Sequence, residues 1–367
     1  MHIKNAHILT FRNIQDMSLY LSGNFSVFYG ENGAGKTSIL EAIYYLFTGK
    51  SFRTNLATRI INHDSSALLL TASIINEHAS THDNFIGFEK KRNGERLIKL
   101  NQQPLSSIAD VTKLMPLQVI GVDSYRFFSD GPKRRRSFLD WGVFHVEHSF
   151  LSTWQQFNKV LKQRNAALKM KQSLDDIVIW DQQYIPLCIE IDRVRAHYIS
   201  QFEVVYNKLF AKLLPDYADQ VSLRYKRGWN KEADLETILA ERYFQDIAFG
   251  HTQSGPHRAD IQLYIGNTPA DDILSQGQQK LAAYALHLAQ GVLLREQVGY
   301  SPVYLIDDLP SELDKTRQGL IIDILKQLDA QVLITCISEQ DLCQLADEEG
   351  AQMFHVEHGS ITLPELT

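Results

Sequence analysis

The sequence predicts an α/β protein in which a lobe built on a mixed β-sheet is interrupted by an inserted α-helical lobe. An aromatic and branched segment at 25–29 stops at a glycine, and apolar residues at helical spacing follow it, as in a strand–loop–helix unit. From 131 to 245 apolar residues recur at helical spacing, and strand-like segments return after 246. We therefore predict three parts, of which 1–130 and 246–367 form one lobe.

The first part is predicted to contain strands, a helix and a hairpin. Loose alternation predicts a strand over 3–11, and a second strand covers 25–29. Apolar residues after Lys36 recur every three to four positions until Gly49 closes the helix. The Asn-Gly pair at 93–94 lies between strand-like segments, which is a strong hairpin signal.

The other two parts are predicted to be helices followed by buried strands. Helical faces run from 154 to 168 and from 191 to 209, and Pro186 is expected to interrupt the helical region. The apolar segments 303–306 and 332–335 are predicted strands of the sheet lobe.

Composition favours a soluble, cytoplasmic protein. The chain has 367 residues, of which 44% are hydrophobic and 22% charged, and this mixture is typical of a globular fold. No segment approaches the roughly eighteen uncharged residues that a membrane span requires, so we expect no membrane partner. Cys188, Cys336 and Cys343 are too widely spaced to indicate a disulfide framework or a zinc site.

Charge is unevenly distributed along the chain. The net charge is −6, but residues 131–171 hold nine Lys or Arg against two carboxylates, a local balance of +7. From Glu339 to Thr367 there are seven carboxylates and no Lys or Arg. The sequence thus allows a basic face on an acidic protein.

The segment Gly30–Thr37 matches the eight-residue phosphate loop and lies between a predicted strand and a predicted helix. Glycines let backbone N–H groups wrap around phosphate oxygens, and the helix N-terminus adds partial positive charge. We expect ATP as the ligand, with Lys36 reaching its β and γ phosphates and Thr37 placing its hydroxyl on Mg²⁺. The expected cofactor-binding residues of this segment are Gly30, Asn32, Gly33, Gly35, Lys36, Thr37 and Ser38.

Two carboxylates, Asp307 and Asp308, end the apolar strand 303–306. A buried strand tolerates such a pair only near compensating charge, which Mg²⁺ bound to the nucleotide supplies. We predict that Asp307 holds the metal and that Asp308 polarises the attacking water as general base. Together with Lys36 these are the expected catalytic residues.

A second anion-binding helix start, Leu274–Lys280, resembles the signature motif of the ABC-ATPase superfamily. The resemblance implies that Ser275, Gly277 and Gln278 bind the γ-phosphate held by an opposite subunit. Ser311–Asp314 is similar to the loop that follows the second acidic motif in that superfamily.

Within the superfamily, nearly the whole chain resembles the RecF family of bacterial recombination mediators, which is related to the SMC heads. The segments that carry the resemblance are Phe11–Ile14, Gly131–Gly142, Leu161–Leu168, Gly255–Asp260, and Asp307–Asp308 with Ser311–Asp314. It implies an ABC-type head that forms a homodimer around ATP, hydrolyses ATP slowly and binds DNA at gaps or single-/double-strand junctions. The implied pathway is RecA loading with RecR and RecO, in DNA repair, DNA replication and the SOS response.

Departures from transporter-type ABC sites also point to slow turnover. Asp308 replaces the usual Glu, and Thr335 stands where a switch His is expected. Asp123 is a candidate for the residue that senses metal and γ-phosphate, and Arg12 is a candidate for a nucleotide contact from the first strand turn.

Candidate DNA contacts come from basic clusters, since Lys and Arg on phosphates release counterions. A charged helix start of this kind is also typical of a solvated surface or of pairing with the acidic C-terminal segment. The expected DNA-binding residues are Lys133, Arg134, Arg135, Arg136, Lys159 and Lys162.

Two other classes of protein stay open. One is an SMC-like clamp or transporter motor, which the short helical insertion and the lack of any coupling context disfavour. The other is a nuclease fused to an ABC head, which is disfavoured because no additional acidic metal cluster follows residue 314 apart from the scattered C-terminal carboxylates.

Overall fold

The computed structural model describes residues 1–54, 56–75, 83–121, 123–342 and 351–362. Among these residues the strands are β1 (His2–Phe11), β2 (Ile14–Tyr20), β3 (Phe25–Tyr29), β4 (Ala67–Ile75), β5 (Asn84–Lys91), β6 (Arg96–Leu100), β7 (Gln103–Pro104), β8 (Leu117–Ile120), β9 (Val221–Lys226), β10 (Asp260–Ile265), β11 (Thr268–Pro269), β12 (Val303–Ile306), β13 (Val332–Cys336), β14 (Ala351–Glu357) and β15 (Ser360–Thr362). The helices are α1 (Lys36–Thr48), α2 (Ile108–Leu114), α3 (Arg126–Ser129), α4 (Pro132–Val146), α5 (Phe150–Lys169), α6 (Leu174–Leu213), α7 (Leu235–Glu241), α8 (Tyr243–Phe249), α9 (Ala270–Ile273), α10 (Gln276–Val298), α11 (Leu309–Glu312) and α12 (Lys315–Gln327).

The chain divides into two compact units. Unit 1 comprises Met1–Ser124 and Leu294–Thr367, and unit 2 comprises Tyr125–Leu293. Residues 246–293 therefore group with the helical part rather than with the last predicted part. The physical reason is that β9 pairs with β10 in antiparallel register from Asp260↔Lys226 to Ile265↔Val221, which ties the segment to unit 2.

Unit 1 holds two six-stranded sheets. One has the order β15-β14-β3-β13-β12-β8. Neighbouring strands in this sheet are parallel, except that β14 and β15 pair in antiparallel orientation. Every residue of β12 and β13 is buried, as expected for parallel strands covered on both faces. The second sheet, β2-β1-β4-β5-β6-β7, is antiparallel and includes the hairpin predicted at 93–94. Because the parallel strands share a direction, their carboxyl ends gather side chains from distant sequence positions at one edge.

Helix α1 begins directly after the glycine-rich loop and packs into the core of unit 1. Ile39, Leu40 and Ile43 are at most 1% exposed. Gly49 ends the helix in the left-handed conformation and donates its N–H to the carbonyl of Tyr45.

Unit 2 combines helices with the three-stranded sheet β11-β10-β9. Its longest helix, α6, has 40 residues and continues through Pro186, so the interruption predicted there is wrong. Proline removes only one helical hydrogen bond, and the surrounding apolar face of α6 compensates for it: Tyr184, Cys188 and Ile191 are fully buried.

Buried ion pairs connect the elements of unit 2. Arg164 on α5 is fully buried and donates to Asp181 at 2.6 Å, to Asp246 at 2.8 Å and to Thr252 at 2.9 Å. Arg195 on α6 pairs with Asp140 on α4. Such pairs specify one arrangement of helices, because removing either partner leaves an uncompensated buried charge.

No helix in the described part of the chain combines the length and apolar character needed to cross a membrane.

Candidate nucleotide-binding site

The loop after β3 can form only with glycine at its key positions. Gly30 has φ 147°, and a Cβ there would lie 2.2 Å from the carbonyl oxygen of Val356. Gly35, with φ 119°, immediately precedes α1, and a Cβ there would lie 2.8 Å from the side-chain nitrogen of Asn13. Glycine permits this close packing of the loop against its neighbours, and the N-terminus of α1 stays open toward the loop. A helix N-terminus of this kind stabilises anions.

Lys36 is buried and folds back over its own loop. Its Nζ donates to the carbonyl of Gly30 at 2.6 Å and to that of Glu31 at 2.9 Å. Both acceptors are neutral, so the ammonium charge remains available to phosphate oxygens.

A cleft of about 370 Å³ lies beside this loop, within the usual range of small-ligand sites. Its lining residues all belong to unit 1 and include most of the predicted nucleotide contacts. They are Asn32, Gly33, Gly35, Lys36, Thr37, Ser38, Arg53, Asp307, Asp308, Thr335 and Ile337.

Three oxygen-bearing side chains meet at the edge of the parallel sheet. Asp307 accepts a hydrogen bond from Thr37 Oγ1 at 2.9 Å and another from Thr335 Oγ1 at 2.7 Å. The hydroxyl of Thr335 in turn accepts from the N–H of Asp308 at 2.8 Å. A hydroxyl and a carboxylate at this spacing suit a hard divalent cation such as Mg²⁺, which retains several of its waters. No group of three His, Cys, Asp or Glu with metal-ligand geometry occurs in the described ranges.

Asp308 is held in an unusual conformation. Its φ of 60° is left-handed, which is uncommon for a residue other than glycine. Ser311 Oγ donates to its carboxylate at 2.5 Å and to its carbonyl at 3.1 Å. The backbone turn and these bonds fix a half-buried carboxylate at the cleft, where it can accept a proton.

Cys336 follows Thr335 but is not suited to nucleophilic chemistry. Burial first, and then the nearby carboxylate of Asp341, raise the pKa of its thiol to about 12. It stays protonated at neutral pH, so the reactive groups of the cleft are oxygens.

Arg12 lies outside the cleft lining. Its guanidinium donates to both carboxylate oxygens of Glu41, at 2.5 and 2.7 Å, and Glu41 is fully buried. The predicted nucleotide contact of Arg12 therefore finds no support in this geometry. Arg53 lines the cleft instead and lies 3.5 Å from the same carboxylate. Sequence reasoning missed Arg53, although the segment Lys50–Arg53 directly after α1 was a visible basic signal.

Asp123, the candidate metal and γ-phosphate sensor, follows β8 in unit 1 and is exposed. It is not among the residues that line the cleft.

The signature residues are displayed at the start of α10. Ser275 and Gly277 are exposed, and a Cβ at Gly277 would meet no atom within 4 Å. Ser275 and Gln278 form a reciprocal capping pair, with the Ser275 N–H bonded to Oε1 and the Gln278 N–H bonded to Oγ. None of the three is among the residues that line the cleft.

The predicted basic cluster is split by the structure. Lys133 and Arg134 on α4 are exposed, as are Lys159 and Lys162 on α5. Arg135 is buried and donates to both carboxylate oxygens of Asp260, at 2.7 and 3.0 Å. The prediction that Arg135 contacts DNA is therefore wrong, because helical periodicity turns it into the core of unit 2.

Arg136 is half-buried. Its guanidinium donates to the carbonyl of Ala259 at 2.8 Å.

Replacing Arg135 by alanine is expected to destabilise the protein by about 3–5 kcal/mol, because it leaves Asp260 as a buried, unpaired charge. Urea unfolding measures the change. The matched control is Lys133→Ala, which lies two positions away on the exposed side of α4 and should stay within about 0.5 kcal/mol. If both variants unfold alike, the ion pair does not stabilise the fold.

Replacing Thr335 by valine should lower the predicted Mg²⁺-dependent ATP hydrolysis about 10- to 100-fold, the usual effect of losing a side chain that orients a metal ligand. The methyl group fills the space of the hydroxyl but cannot donate to Asp307 or accept from the Asp308 N–H. Titrating Mg²⁺ at fixed ATP measures the effect, and Thr335→Ser, which keeps the hydroxyl, should retain activity. Equal loss in both variants would assign the defect to packing instead.

Comparison with known proteins shows the family of the whole chain. Residues 2–362 match the model described as the RecF/RecN/SMC N terminal domain. The DNA replication and repair protein RecF of Coxiella burnetii is 41% identical over 360 residues, which cover 98% of this chain and 99% of that protein. The chain belongs to the RecF family. RecF of Shewanella baltica is 38% identical over 365 residues and covers all of both chains.

Solved structures agree with this assignment. The recombination mediator protein RecF with ATP, in the RecFOR pathway, superposes with a TM-score of 0.84 at 27% identity and covers 99% of this chain and 97% of that one. An SMC head bound to the C-terminal winged-helix domain of ScpA has a TM-score of 0.61 at 15% identity and shows the shared fold alone. The predicted ABC-type ATPase head and the predicted resemblance to the RecF family are both confirmed.

Proposed function

We propose that this protein is an ATP-dependent DNA-binding recombination mediator in the cytoplasm. ATP binding closes a homodimer, the dimer binds DNA at single-strand gaps or single-/double-strand junctions, and hydrolysis releases it. Together with RecR and RecO the protein helps to load RecA, in DNA repair, DNA replication and the SOS response. Relatives that are DNA replication and repair proteins over the full length of the chain support this assignment.

The observation that carries the proposal is the joint placement of the phosphate loop, Thr37, Asp307 and Asp308 at one cleft. Lys36 and the N-terminus of α1 bind the triphosphate, and Thr37 with Asp307 would hold Mg²⁺, which supplies charge neutralisation at the phosphates. Asp308 accepts the proton of the attacking water.

Slow turnover is part of this proposal, and two features of the site support it. The Asp308 side chain is one methylene shorter than the usual glutamate, and Ser311 occupies one of its carboxylate oxygens. Thr335 is bonded to Asp307 and to the backbone of Asp308, so no side chain in this position titrates near neutral pH as a switch histidine would. A slowly hydrolysed nucleotide suits a switch, because the closed state persists long enough for partners to act.

Dimerisation on ATP is supported by the exposed start of α10. Ser275 and Gly277 present a helix N-terminus that the cleft of their own chain does not use. Such an end binds anions, and the γ-phosphate in a second copy supplies one. ATP would thereby join two chains.

DNA binding is assigned to the exposed basic residues of unit 2. Lys133 and Arg134 on α4, with Lys159 and Lys162 on α5, carry charges that can neutralise phosphates. Arg136, half-buried, adds to the first pair. With about six phosphates neutralised in a dimer, log affinity should fall against log salt with a slope of about −5.

Fluorescence anisotropy of a gapped duplex, with and without ATP and RecR and at two salt concentrations, tests the proposal. Tight binding should require ATP and weaken steeply with salt. The variant Lys36→Ala, which lacks the phosphate-binding ammonium, should bind as the wild type does without ATP. Binding that ignores ATP in every condition, RecR included, would mean that the switch controls something other than DNA.

A further inference from the structure

A second open groove lies within unit 2, and none of its lining residues belongs to the nucleotide cleft. Its volume is about 770 Å³. Four cationic side chains and a single carboxylate, Asp192, line it, a balance of +3 among the described lining residues. The cations are Lys226, Arg227, Lys231 and Arg258.

Most of this charge is not compensated by carboxylates. Lys226 Nζ donates to Gln262 Oε1 and Arg258 donates to Gln253 Oε1, both at 3.1 Å, and these acceptors are neutral. Lys231 is exposed and forms no ion pair in the part of the chain that the structure describes. The groove therefore attracts an anionic ligand.

The groove also has an aromatic wall that is fixed in orientation. The Arg227 guanidinium carbon lies 4.3 Å from the centre of the Trp229 ring, stacked on the indole. Asp192 holds that guanidinium at 2.7 Å and also accepts from the Tyr225 hydroxyl at 3.0 Å. Arg227 Nε is buried and has no hydrogen-bond partner among the described residues. The contacts of Arg227 therefore serve to orient Trp229.

Backbone contacts make the loop rigid. Gly228 has φ 97°, and a Cβ there would lie 2.2 Å from the carbonyl oxygen of Gly255. The Gly255 N–H bonds to the Gly228 carbonyl at 3.2 Å. A loop held in this way presents Trp229 with little further loss of conformational entropy on binding.

We propose that this groove binds unpaired nucleotides of single-stranded DNA, with Lys226, Lys231 and Arg258 on the phosphates and the base against Trp229. Aromatic rings interleaved with cations are what single strands require, since every base has a face to stack. A duplex hides those faces between its base pairs, and the carboxylates that make a peptide acidic do not stack on an indole. The choice of DNA as the polymer rests on the proposed function; the groove itself adds a strand-holding site that does not require ATP.

Binding of a fluorescent dT oligonucleotide of about 12 nucleotides, without ATP, tests the groove. Trp229→Leu, which keeps an apolar side chain but no ring, should weaken binding about tenfold. The double variant Lys226→Ala/Lys231→Ala should make the salt slope shallower by about 1.4, the effect of two lost phosphate contacts on a single strand. Lys208→Ala, an exposed lysine of the same unit outside the groove, is the matched control and should change neither value.

Three outcomes overturn the groove as a single-strand site. They are unchanged binding in both groove variants, equal affinity for an abasic strand of the same length, and equally strong competition by poly-glutamate, which would indicate an acidic protein partner.

The ATP-dependent anisotropy of the gapped duplex is measured in parallel on the same proteins. If it persists while the groove test fails, only the groove is wrong; if wild type binds neither DNA, the proposed function fails.

Discussion

Replacing Asp308 by asparagine is expected to lower ATP hydrolysis about 10²- to 10⁴-fold, the contribution of a positioned general base. The amide cannot take a proton from water, yet it has nearly the shape of the carboxylate. Asparagine also tolerates the left-handed backbone that Asp308 adopts at φ 60°, and its side-chain oxygen can still accept from Ser311. ATP affinity should therefore change little, and the ATP-bound dimer should last longer than in the wild type.

A matched control exists in the same unit. Asp329 also has a left-handed backbone, with φ 48°, and accepts a hydrogen bond from Asn24 at 2.9 Å. Both residues precede the parallel strands β3 and β13, whereas the cleft lies at the carboxyl ends of these strands. Asp329→Asn should leave hydrolysis unchanged. Phosphate release under single-turnover conditions and mass determination at saturating ATP measure the two effects. An Asp308→Asn protein that hydrolyses at the wild-type rate, or that stays monomeric with ATP, contradicts the assigned role.

The phosphate loop and the acidic pair could be predicted because local sequence determines them. A glycine-rich turn between β3 and α1 has few other solutions, and the strand before Asp307 is apolar throughout. The meeting of Thr37 with Asp307 follows from parallel strands that end at one edge, a rule that needs no coordinates. The sequence thus predicted which of these side chains meet at the cleft.

Contacts between distant segments could not be predicted in the same way. Arg135 belongs to a basic run, and its spacing of four residues from Leu139 places it on the buried face of α4. Its partner Asp260, however, lies far along the chain, so the buried ion pair could not be predicted from the local sequence. Arg12 is similar, since its partner Glu41 lies on the opposite side of the phosphate loop in sequence. An ion pair with a carboxylate that is distant in sequence can engage a basic side chain that charge alone would assign to a ligand contact.

The sequence did not predict the groove at Trp229, for a related reason. Its lining residues come from α6, from the end of β9 and the segment after it, and from the short turn at 256–258, so no single stretch of sequence contains them all. The β9–β10 pairing helps to bring these segments together, and the predicted boundary at 245 separated its two strands.

Replacing Ser275 by arginine is expected to abolish ATP-driven dimerisation while each chain still binds ATP. Ser275 is exposed at the start of α10 and does not line the cleft, so the change leaves the phosphate loop, Thr37 and Asp307 intact. A long guanidinium side chain at this point blocks the close approach of a helix N-terminus to a phosphate, which depends on short side chains and open N–H groups. Loss of the Ser275–Gln278 cap should lower stability by only about 1 kcal/mol.

Sedimentation with and without ATP separates dimerisation from binding, and a fluorescent ATP analogue measures affinity for the single chain. Ser200→Arg, an equally exposed serine on α6, controls for added charge and bulk and should dimerise normally. Dimerisation that survives Ser275→Arg would place the ATP-dependent interface elsewhere, and the start of α10 would then be a capped helix end with no role in the switch. Loss of dimerisation together with loss of ATP affinity would instead mean that the helix start supports the cleft of its own chain. Retained ATP binding without dimers is the result that supports recognition of ATP in one chain by the start of α10 in the other. In that case the DNA affinity of the same variant should fall to its ATP-free value.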